Sequence, residues 1–419
     1  MNEEIVNKYN YATTILNKGK WKKAMPIYKE IIKKYPCKEA YTNLGNCYRS
    51  QGLDKLMVEC YQNALKDSVP FLDINTRTHL HAKNNLGLTN FTYGDDDKAL
   101  ALYTEVMNES PDFLDCLWNM ATCELRIACS GTTEMFPTAW LHYNARFKKT
   151  NPVMLKNKKE GLKYWDRFTC GESIVILAEQ GIGDNLMFAR YLPLLRKYFK
   201  KIYVQCDDTL APLFALGGYT PVYDAIDCDA EVAWPMCSLG QCFPLEIPPG
   251  DWLRDKIAAH TFEDGFNVGI VWAGNSSHSN DAYRSTAIQR FHSLRDHCNL
   301  YSLSPGFQGD KYVKSLPITS WLDTAKYING LDLVVSIDTS VIHMCGCLGQ
   351  PGYVLQPLKE TDFRWGRGYG GVCPPTQSNI WYPSITVFNN PQSWDFVFNN
   401  VIKEIQCLKS AEKTSPVQK

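Results

Sequence analysis

IVILAEQGIGDNLMFAR, residues 174–190, with Ser173 ahead of it, passes from an apolar run through a glycine-bearing turn into a helical pattern. Ser173–Ala178 is rich in β-branched and aliphatic residues and reads as a strand buried on both faces, as in a parallel sheet. Gly181 and Gly183 mark the turn. Asp184 is expected to open an amphipathic helix whose apolar positions are Leu186, Met187, Ala189, Leu192 and Leu195. A strand that ends in glycines and leads into a helix presents bare amides and a positive helix end at the carboxyl edge of a sheet. Open α/β sheets bind anionic ligands at that edge. An acid at the helix start either caps those amides or acts on what they hold.

The same alternation continues on both sides. Strands are expected at Lys201–Cys206 and Glu231–Trp234, with a helix at Leu210–Leu216 between them. The Asp184 helix is expected to run to Phe199. Pro244–Gly250 breaks the pattern. A second series then begins at Val268–Ala273. It continues with Ala287–Arg295 (helix), Leu300–Leu303 (strand), Leu322–Gly330 (helix), Leu333–Ile337 (strand), Ser340–Leu348 (helix) and Tyr353–Gln356 (strand), and it closes with a helix at Trp394–Leu408. Two βα series predict two doubly wound domains with a cleft between them.

Residues 1–149 carry a different, recurring pattern. One copy reads Tyr41-x-x-Leu44-Gly45-x-x-Tyr48, Met57-x-x-x-Tyr61-x-x-Ala64, Pro70. A second reads Leu86-Gly87, Ala99-x-x-x-Tyr103-x-x-Val106, Pro111. An earlier one reads Tyr11-Ala12, Ala24-x-x-x-Tyr28-x-x-Ile31, Pro36. Small residues let two antiparallel helices approach, aromatics fill the gap, and proline ends the second helix. The pattern resembles the tetratricopeptide repeat, a unit of about 34 residues that stacks into a curved solenoid. Asp67–Arg77 reads as an insertion. A degenerate fourth unit is expected from Leu114 through Trp140. Asparagine recurs on the first helix of each unit, at Asn10, Asn43, Asn85 and Asn119. Such a row is suited to hydrogen-bonding the backbone of an extended peptide, or is simply a common choice at that repeat position.

Composition sets outer bounds. The 419 residues contain 45% apolar and 21% charged residues, the balance of a globular protein, and Lys+Arg equals Asp+Glu at 44 each. No bulk field draws the chain to nucleic acid or to an acidic membrane. MNEEIVNKYN lacks the apolar core of a signal peptide, and no run approaches the length of a spanning helix, so a cytoplasmic location is expected. The 16 cysteines are scattered, and several (Cys47, Cys60, Cys123) fall at core positions. Cys345-x-Cys347 and Cys237-x4-Cys242 lack zinc-site spacing, so buried reduced thiols and no metal are expected.

Three loops would face the cleft: Glu179–Asp184; the polar Trp272–Ser285 stretch with Gly274, Asn275 and Arg284; and Asp338–Met344, where a helix begins at Thr339 or Ser340 and carries His343. The amides of Thr339, Ser340 and Val341, with Arg284 and Ser285, form a candidate diphosphate site. Thr339 or Ser340 equally suits a helix cap. Asp362, Arg364 and Trp365 read as cleft lining, or Asp362 and Arg364 as a structural ion pair, and Trp272 as a core residue.

Taken in order, EQGIGDNLMFARYLPLL, VGIVWAGNSSHSNDAYRS, LDLVVSIDTSVIHMCGCLGQP, DFRW and WYPS resemble the bacterial glycosyltransferases related to the lipopolysaccharide heptosyltransferases, in the branch with N-terminal tetratricopeptide repeats. The architecture is also similar to that of protein O-linked N-acetylglucosamine transferase. The resemblance implies a GT-B fold, a nucleotide-sugar donor as co-substrate with no other cofactor, no metal requirement, and inversion at the anomeric carbon. It implies a catalytic base at Asp184. Glu179 and Gln180 are expected beside that base, oriented toward the acceptor, with Gly183 lining the cleft, and the repeats are expected to recruit a polypeptide or glycan acceptor. Asn185 stands where many relatives carry threonine, and Arg284 where the heptosyltransferases carry lysine. Gly366–Gly371 and Cys373-Pro-Pro enlarge a loop that reads as a lid or as an insertion.

The expected partition is repeats at 1–149, connector at 150–170, an acceptor-side Rossmann-like domain at 171–262, a nucleotide-sugar domain at 263–395, a closing helix at 396–408 and a flexible tail at 409–419. The competing reading is a repeat-based interaction scaffold whose α/β half is inactive.

Overall fold

The structure is a computed structural model that describes residues 3–72, 77–155, 161–278, 280–367, 376–390 and 393–414. It divides into two compact units, Met1–Cys123 and Glu124–Lys419.

The first unit consists of antiparallel helix pairs: α1 (Glu3–Asn17) with α2 (Trp21–Lys34), α3 (Lys38–Arg49) with α4 (Asp54–Leu65), and α5 (Thr78–Thr92) with α6 (Asp96–Glu109). The unit boundary falls inside α7 (Leu114–Cys129), short of the expected end of the repeats at 149. The small-residue rule holds at atomic scale. A methyl on Gly45 would lie 2.5 Å from the Tyr61 ring, and one on Gly87 would lie 2.7 Å from Tyr103. Tyr28, Tyr61 and Tyr103 are fully buried in equivalent places. Pro36, Pro70 and Pro111 each follow the second helix of a pair. The buried Lys38 ammonium donates to the Ala64 and Lys66 carbonyls, closing the carboxyl end of α4. The expected insertion spans 67–77, of which 73–76 lie outside the described residues.

The second unit begins with the end of α7, continues into α8 (Phe136–Tyr143) and holds two sheets. The first has five parallel strands: β1 (Lys163–Tyr164), β2 (Gly171–Leu177), β3 (Phe199–Gln205), β4 (Thr220–Val222) and β5 (Val232–Pro235), in the order β1-β5-β2-β3-β4. The second contains β6 (Asn267–Val271), β7 (Asn299–Ser302), β8 (Val313–Lys314), β9 (Leu333–Ile337), β10 (Gly352–Leu355), β11 (Thr376–Ser378) and β12 (Ile385–Phe388), in the order β11-β12-β10-β9-β6-β7-β8. Only the β11–β12 pairing is antiparallel. The helices are α9 (Ile182–Phe188), α10 (Leu192–Leu195), α11 (Ala211–Leu216), α12 (Leu239–Cys242), α13 (Asp281–Arg284), α14 (Ile288–Phe291), α15 (Trp321–Gly330), α16 (Ser340–Leu348) and α17 (Trp394–Thr414). Two Rossmann-like sheets within one unit, parallel throughout except at β11, make the GT-B arrangement.

Ile174–Leu177 and Leu333–Ile337 are wholly buried, as central strands require. In the first sheet the chain steps outward from β2 to β3 to β4, then returns to place β5 on the other side of β2. In the second it steps from β6 to β8, then returns to place β9 beside β6. The crevices that such reversals open lie at the carboxyl ends of β2 and β5, and of β6 and β9.

Several boundaries differ from the sequence reading. The helix after β2 starts at Ile182, two residues before Asp184. It gives way after Phe188 to a 3-10 turn at Ala189–Tyr191 and then α10, with Pro193 at the start of α10. The Ala287–Arg295 helix is a single α turn followed by a 3-10 turn. β4, β8, β11 and β12 are extra strands, and β1 places part of the expected connector on the sheet edge. α17 continues through Thr414, so the expected tail from 409 is helical up to that point. Its remainder, 415–419, and most of the enlarged loop, 368–375, lie outside the described residues. Every described cysteine is a free thiol, and no described helix is long and apolar enough to cross a membrane.

Candidate functional site

A cavity of about 810 Å³ opens at the carboxyl ends of both sheets of the second unit. Its wall collects the loop after β2 (Gln180–Asp184), the loop after β6 (Gly274, Asn275, Arg284), the start of α16 after β9 (Asp338–Val341, His343), and Asp362 and Arg364 after β10. These positions are far apart in sequence, and the strand directions bring them together. The same wall holds residues that the sequence reading left out: Asp207 and Thr209 after β3, Ser304 and Pro305 after β7, and Thr319–Trp321 after β8. Each follows the carboxyl end of a strand. For the last group the strand is the two-residue β8, too short to leave a periodic signal.

Gly183 sits where α9 meets α16. A methyl there would lie 2.7 Å from the His343 ring and 3.4 Å from the Ser340 Cα. Close helix approach therefore explains this glycine. It lies inside α9, so the expected turn glycine is corrected to a contact glycine. Gly274 has a similar cause, since a methyl would lie 2.5 Å from the Arg284 guanidinium. Arg284 donates to the Asp338 carbonyl at 2.9 Å and to Asp281 at 3.2 Å, which fixes it beside the start of α16. Ser285 is not on the wall. Its hydroxyl accepts from the Gly274 amide and donates to Asp281, and so shapes the loop that holds Arg284. The Asn275 side chain accepts from the Ser277 amide and hydroxyl within the same loop.

Thr339 occupies the position ahead of α16 but makes no side-chain cap. Its hydroxyl shares a hydrogen bond with Ser336 instead. The first-turn amides of this nine-residue helix thus meet the cavity without a side-chain cap. Asp338 lies just before them. Burial, and then the neighbouring Asp362, raise its carboxyl to about 6. His343 is held well below its ordinary value by burial and by the cations Arg364 and Arg190, so its imidazole is neutral at pH 7. Its Nδ1 pairs with the Tyr382 hydroxyl at 3.2 Å.

Asp184 is the third residue of α9 and makes two contacts. Oδ2 accepts the Gly181 amide at 2.8 Å, a cap within its own helix, and Oδ1 accepts from Arg364 Nη2. Arg364 also grips both oxygens of Asp362 at 2.8 Å. Burial opposes the charge on Arg364, but Asp184 and Asp362 hold the guanidinium well above its ordinary value.

Glu179 is corrected from an acceptor-facing residue to a buried anchor. Its two oxygens accept from Arg146 Nη2 and Nε, each at 2.8 Å, and one also accepts the Cys237 amide. Arg146 follows α8 in a 3-10 turn and also donates to Ser238. Gln180, next in sequence, has φ of 58° and donates to the buried Tyr143 hydroxyl. The segment 136–147, read from sequence as the end of the repeats, thus props the turn that carries Asp184. Trp272 packs edge-on against Phe307 as a core residue.

In the first unit the asparagines bond between neighbouring hairpins. Asn43 donates to Tyr9 and Tyr28, Asn85 donates to Asn46, and Asn119 donates to Asn84. The carbonyls of Asn43 and Asn85 accept from Asn46 and Asn84. The peptide-facing row is therefore corrected in part: the amide of Asn43, and one amide hydrogen each of Asn85 and Asn119, are engaged inside the solenoid rather than offered to a peptide. Asn10 is exposed on α1.

A tetratricopeptide-repeat family model matches residues 8–36. Protein FlbA of Caulobacter vibrioides is 22% identical over 394 residues, an alignment covering 74% of this chain and 64% of FlbA. The chain thus spans a little under two thirds of that relative's length. Among solved structures, a mutant of the Thermobaculum terrenum O-GlcNAc transferase is 10% identical, with 98% of this chain and 91% of that one covered at a TM-score of 0.35. The E. coli heptosyltransferase WaaC with ADP is 12% identical, covering 57% and 99%, at a TM-score of 0.38. YrrB, titled a TPR protein with an unusual peptide-binding site, is 14% identical, covering 34% and 69%, at 0.28.

Proposed function

We propose that the second unit is a glycosyltransferase that moves a sugar from a nucleotide-sugar donor to an acceptor hydroxyl, with inversion and without a metal. One observation carries this reading. A single cavity sets Asp184, at the end of the central strand of one sheet, together with an uncapped helix start and a fixed arginine at the end of the central strands of the other. The donor diphosphate lies against the first turn of α16, at Thr339–Val341, beside Arg284. The acceptor oxygen attacks the anomeric carbon from the opposite side as the sugar–phosphate bond breaks. Negative charge grows on the departing phosphate, where fixed amides and a guanidinium stabilise it most. The acceptor proton passes to Asp184. The helix cap made by Oδ2 does not compete with this role, because each carboxylate oxygen accepts more than one hydrogen bond. Recruitment of a polypeptide or other polymeric acceptor falls to the repeats.

The test is incubation of the full chain with UDP-, ADP- and GDP-sugars and measurement of nucleotide release. One class is expected to release nucleotide, and Asp184→Asn is expected to stop release while nucleotide binding and melting temperature stay near wild type. An Asp184→Asn protein that turns over normally but melts early reduces Asp184 to a cap. A wild type inert toward every donor, yet bound to a partner through its repeats, makes the protein a scaffold.

A further inference from the structure

Arg364 is one of the side chains through which the two Rossmann-like halves meet at the cavity. It follows β10 of the second sheet, and its guanidinium reaches Asp184 at the end of β2 in the first. Its own segment is pinned. Asn379 donates to the Arg364 carbonyl at 2.8 Å, and Gln377 and Gln356 donate to the Trp365 carbonyl at 2.7 and 3.2 Å. The Phe363 ring lies 4.5 Å from the guanidinium carbon, and Asp362 takes one terminal nitrogen with both oxygens. The Arg364 side chain is 9% exposed. Held in this way, the guanidinium has little freedom of its own.

We propose that Arg364 is the positioning residue for Asp184, a role that rests on the transferase reading above. Two contacts from different directions fix the plane of the Asp184 carboxylate. Oδ2 is tied to its own helix through the Gly181 amide, and Oδ1 is tied across the cavity to Arg364. Each oxygen keeps a lone pair for an incoming hydroxyl. This is the arrangement of a base turned by a third group, with a carboxylate as base and a guanidinium as orienter. Asp362 is the outer member. It occupies the Nη1 side of the fork and leaves Nη2 for Asp184. A lysine carries the charge but not the planar fork, so it cannot hold both carboxylates in this geometry. The contacts of Arg364 run to carboxylates, whereas Arg284 stands beside the start of α16. The structure thus divides the two cavity arginines between base and donor.

The experiment uses full-length Arg364→Lys and Asp362→Asn with the donor identified by nucleotide release. Free nucleoside diphosphate serves as the binding probe, and melting temperature as the fold control. Arg364→Lys is expected to lower kcat by at least about 30-fold, part of the 10²–10⁴ that a positioned base supplies. Nucleotide affinity and donor KM are expected to stay within about threefold, because the residue acts through Asp184. Asp362→Asn, which loosens Arg364 and leaves Asp184 untouched, is expected to show a smaller kcat loss of the same type, and it decides the matter if the lysine variant does not fold. A tenfold loss of nucleotide affinity makes Arg364 a donor ligand and overturns the proposal, as does an unchanged kcat in both variants. If wild type is active, these outcomes fall on Arg364 alone. A wild type inert toward every donor removes the transferase reading, and this proposal falls with it.

Discussion

Replacing Glu179 by glutamine tests the buried anchor directly. Both side chains of the Arg146–Glu179 pair are 0% exposed, and their contacts are two bonds of 2.8 Å plus the Cys237 amide at 2.9 Å. Glutamine preserves shape and can still accept the Cys237 amide, but it leaves Arg146 without a counter-charge. Arg146 retains Ser238, the Tyr143 carbonyl and the faces of Tyr143 and Phe147, which neutralise nothing. Breaking one partner of a buried pair costs about 3–5 kcal/mol. For a unit of this size that is a fall in melting temperature on the order of 10 °C. Tryptophan fluorescence during urea unfolding reads the correct unit, because all of the 11 tryptophans except Trp21 and Trp118 lie in the second. The companion double variant, Arg146→Met with Glu179→Gln, removes the stranded charge and is expected to regain more than half of the loss. A single variant that costs less than about 1 kcal/mol, or a double variant as unstable as the sum of its singles, refutes the reasoning.

Three further outcomes follow from other contacts. Asp338 holds a proton in the folded chain between about 4 and about 6 that the unfolded chain has released, so its contribution to stability falls as pH rises through that window. Asp338→Asn is therefore expected to gain stability over wild type at pH 7 relative to pH 4, and equal melting differences at both pH values would falsify this. Gly45→Ala, although alanine is the better helix former, is expected to destabilise the first unit by about 1–3 kcal/mol in a far-ultraviolet circular dichroism melt, since its methyl would lie 2.5 Å from the Tyr61 ring. Asn85→Ala removes the bond to Asn46 and is expected to lower the melting point of the first unit by an amount consistent with about 1 kcal/mol; a loss of acceptor turnover with an unchanged melt would restore the peptide-facing reading.

Periodicity and composition carried the architecture because they act locally. Apolar runs such as Ile174–Leu177 and Leu333–Ile337 bury on both faces wherever they pair, and the glycine–tyrosine spacing of the repeats records a helix contact within one hairpin. The loops named from sequence at Glu179–Asp184, Trp272–Ser285 and Asp338–Met344 each bring residues to one cavity, because parallel strands direct their carboxyl ends to the same edge, although Glu179, Trp272, Ser285 and Met344 are not on its wall. Elements of two or three residues, such as β1, β8 and β11, span less than the window in which a period can be read.

The sequence by itself determined that helical repeats precede two βα series and where their central strands lie, and it placed an acid, an arginine and a helix start after strand ends. Tertiary structure alone decided which partner each side chain takes. Glu179 is adjacent to the site turn in sequence, yet it turns inward to Arg146, 33 residues away, because a carboxylate so deeply buried needs a counter-charge. Asn43, Asn85 and Asn119 donate to side chains of the neighbouring hairpin, partners more than 30 residues away. Asp184 acquires Arg364 from 180 residues away, a pairing that exists only once two separate sheets are set edge to edge. Partner choice depends on burial and distance, and neither is a property of local sequence.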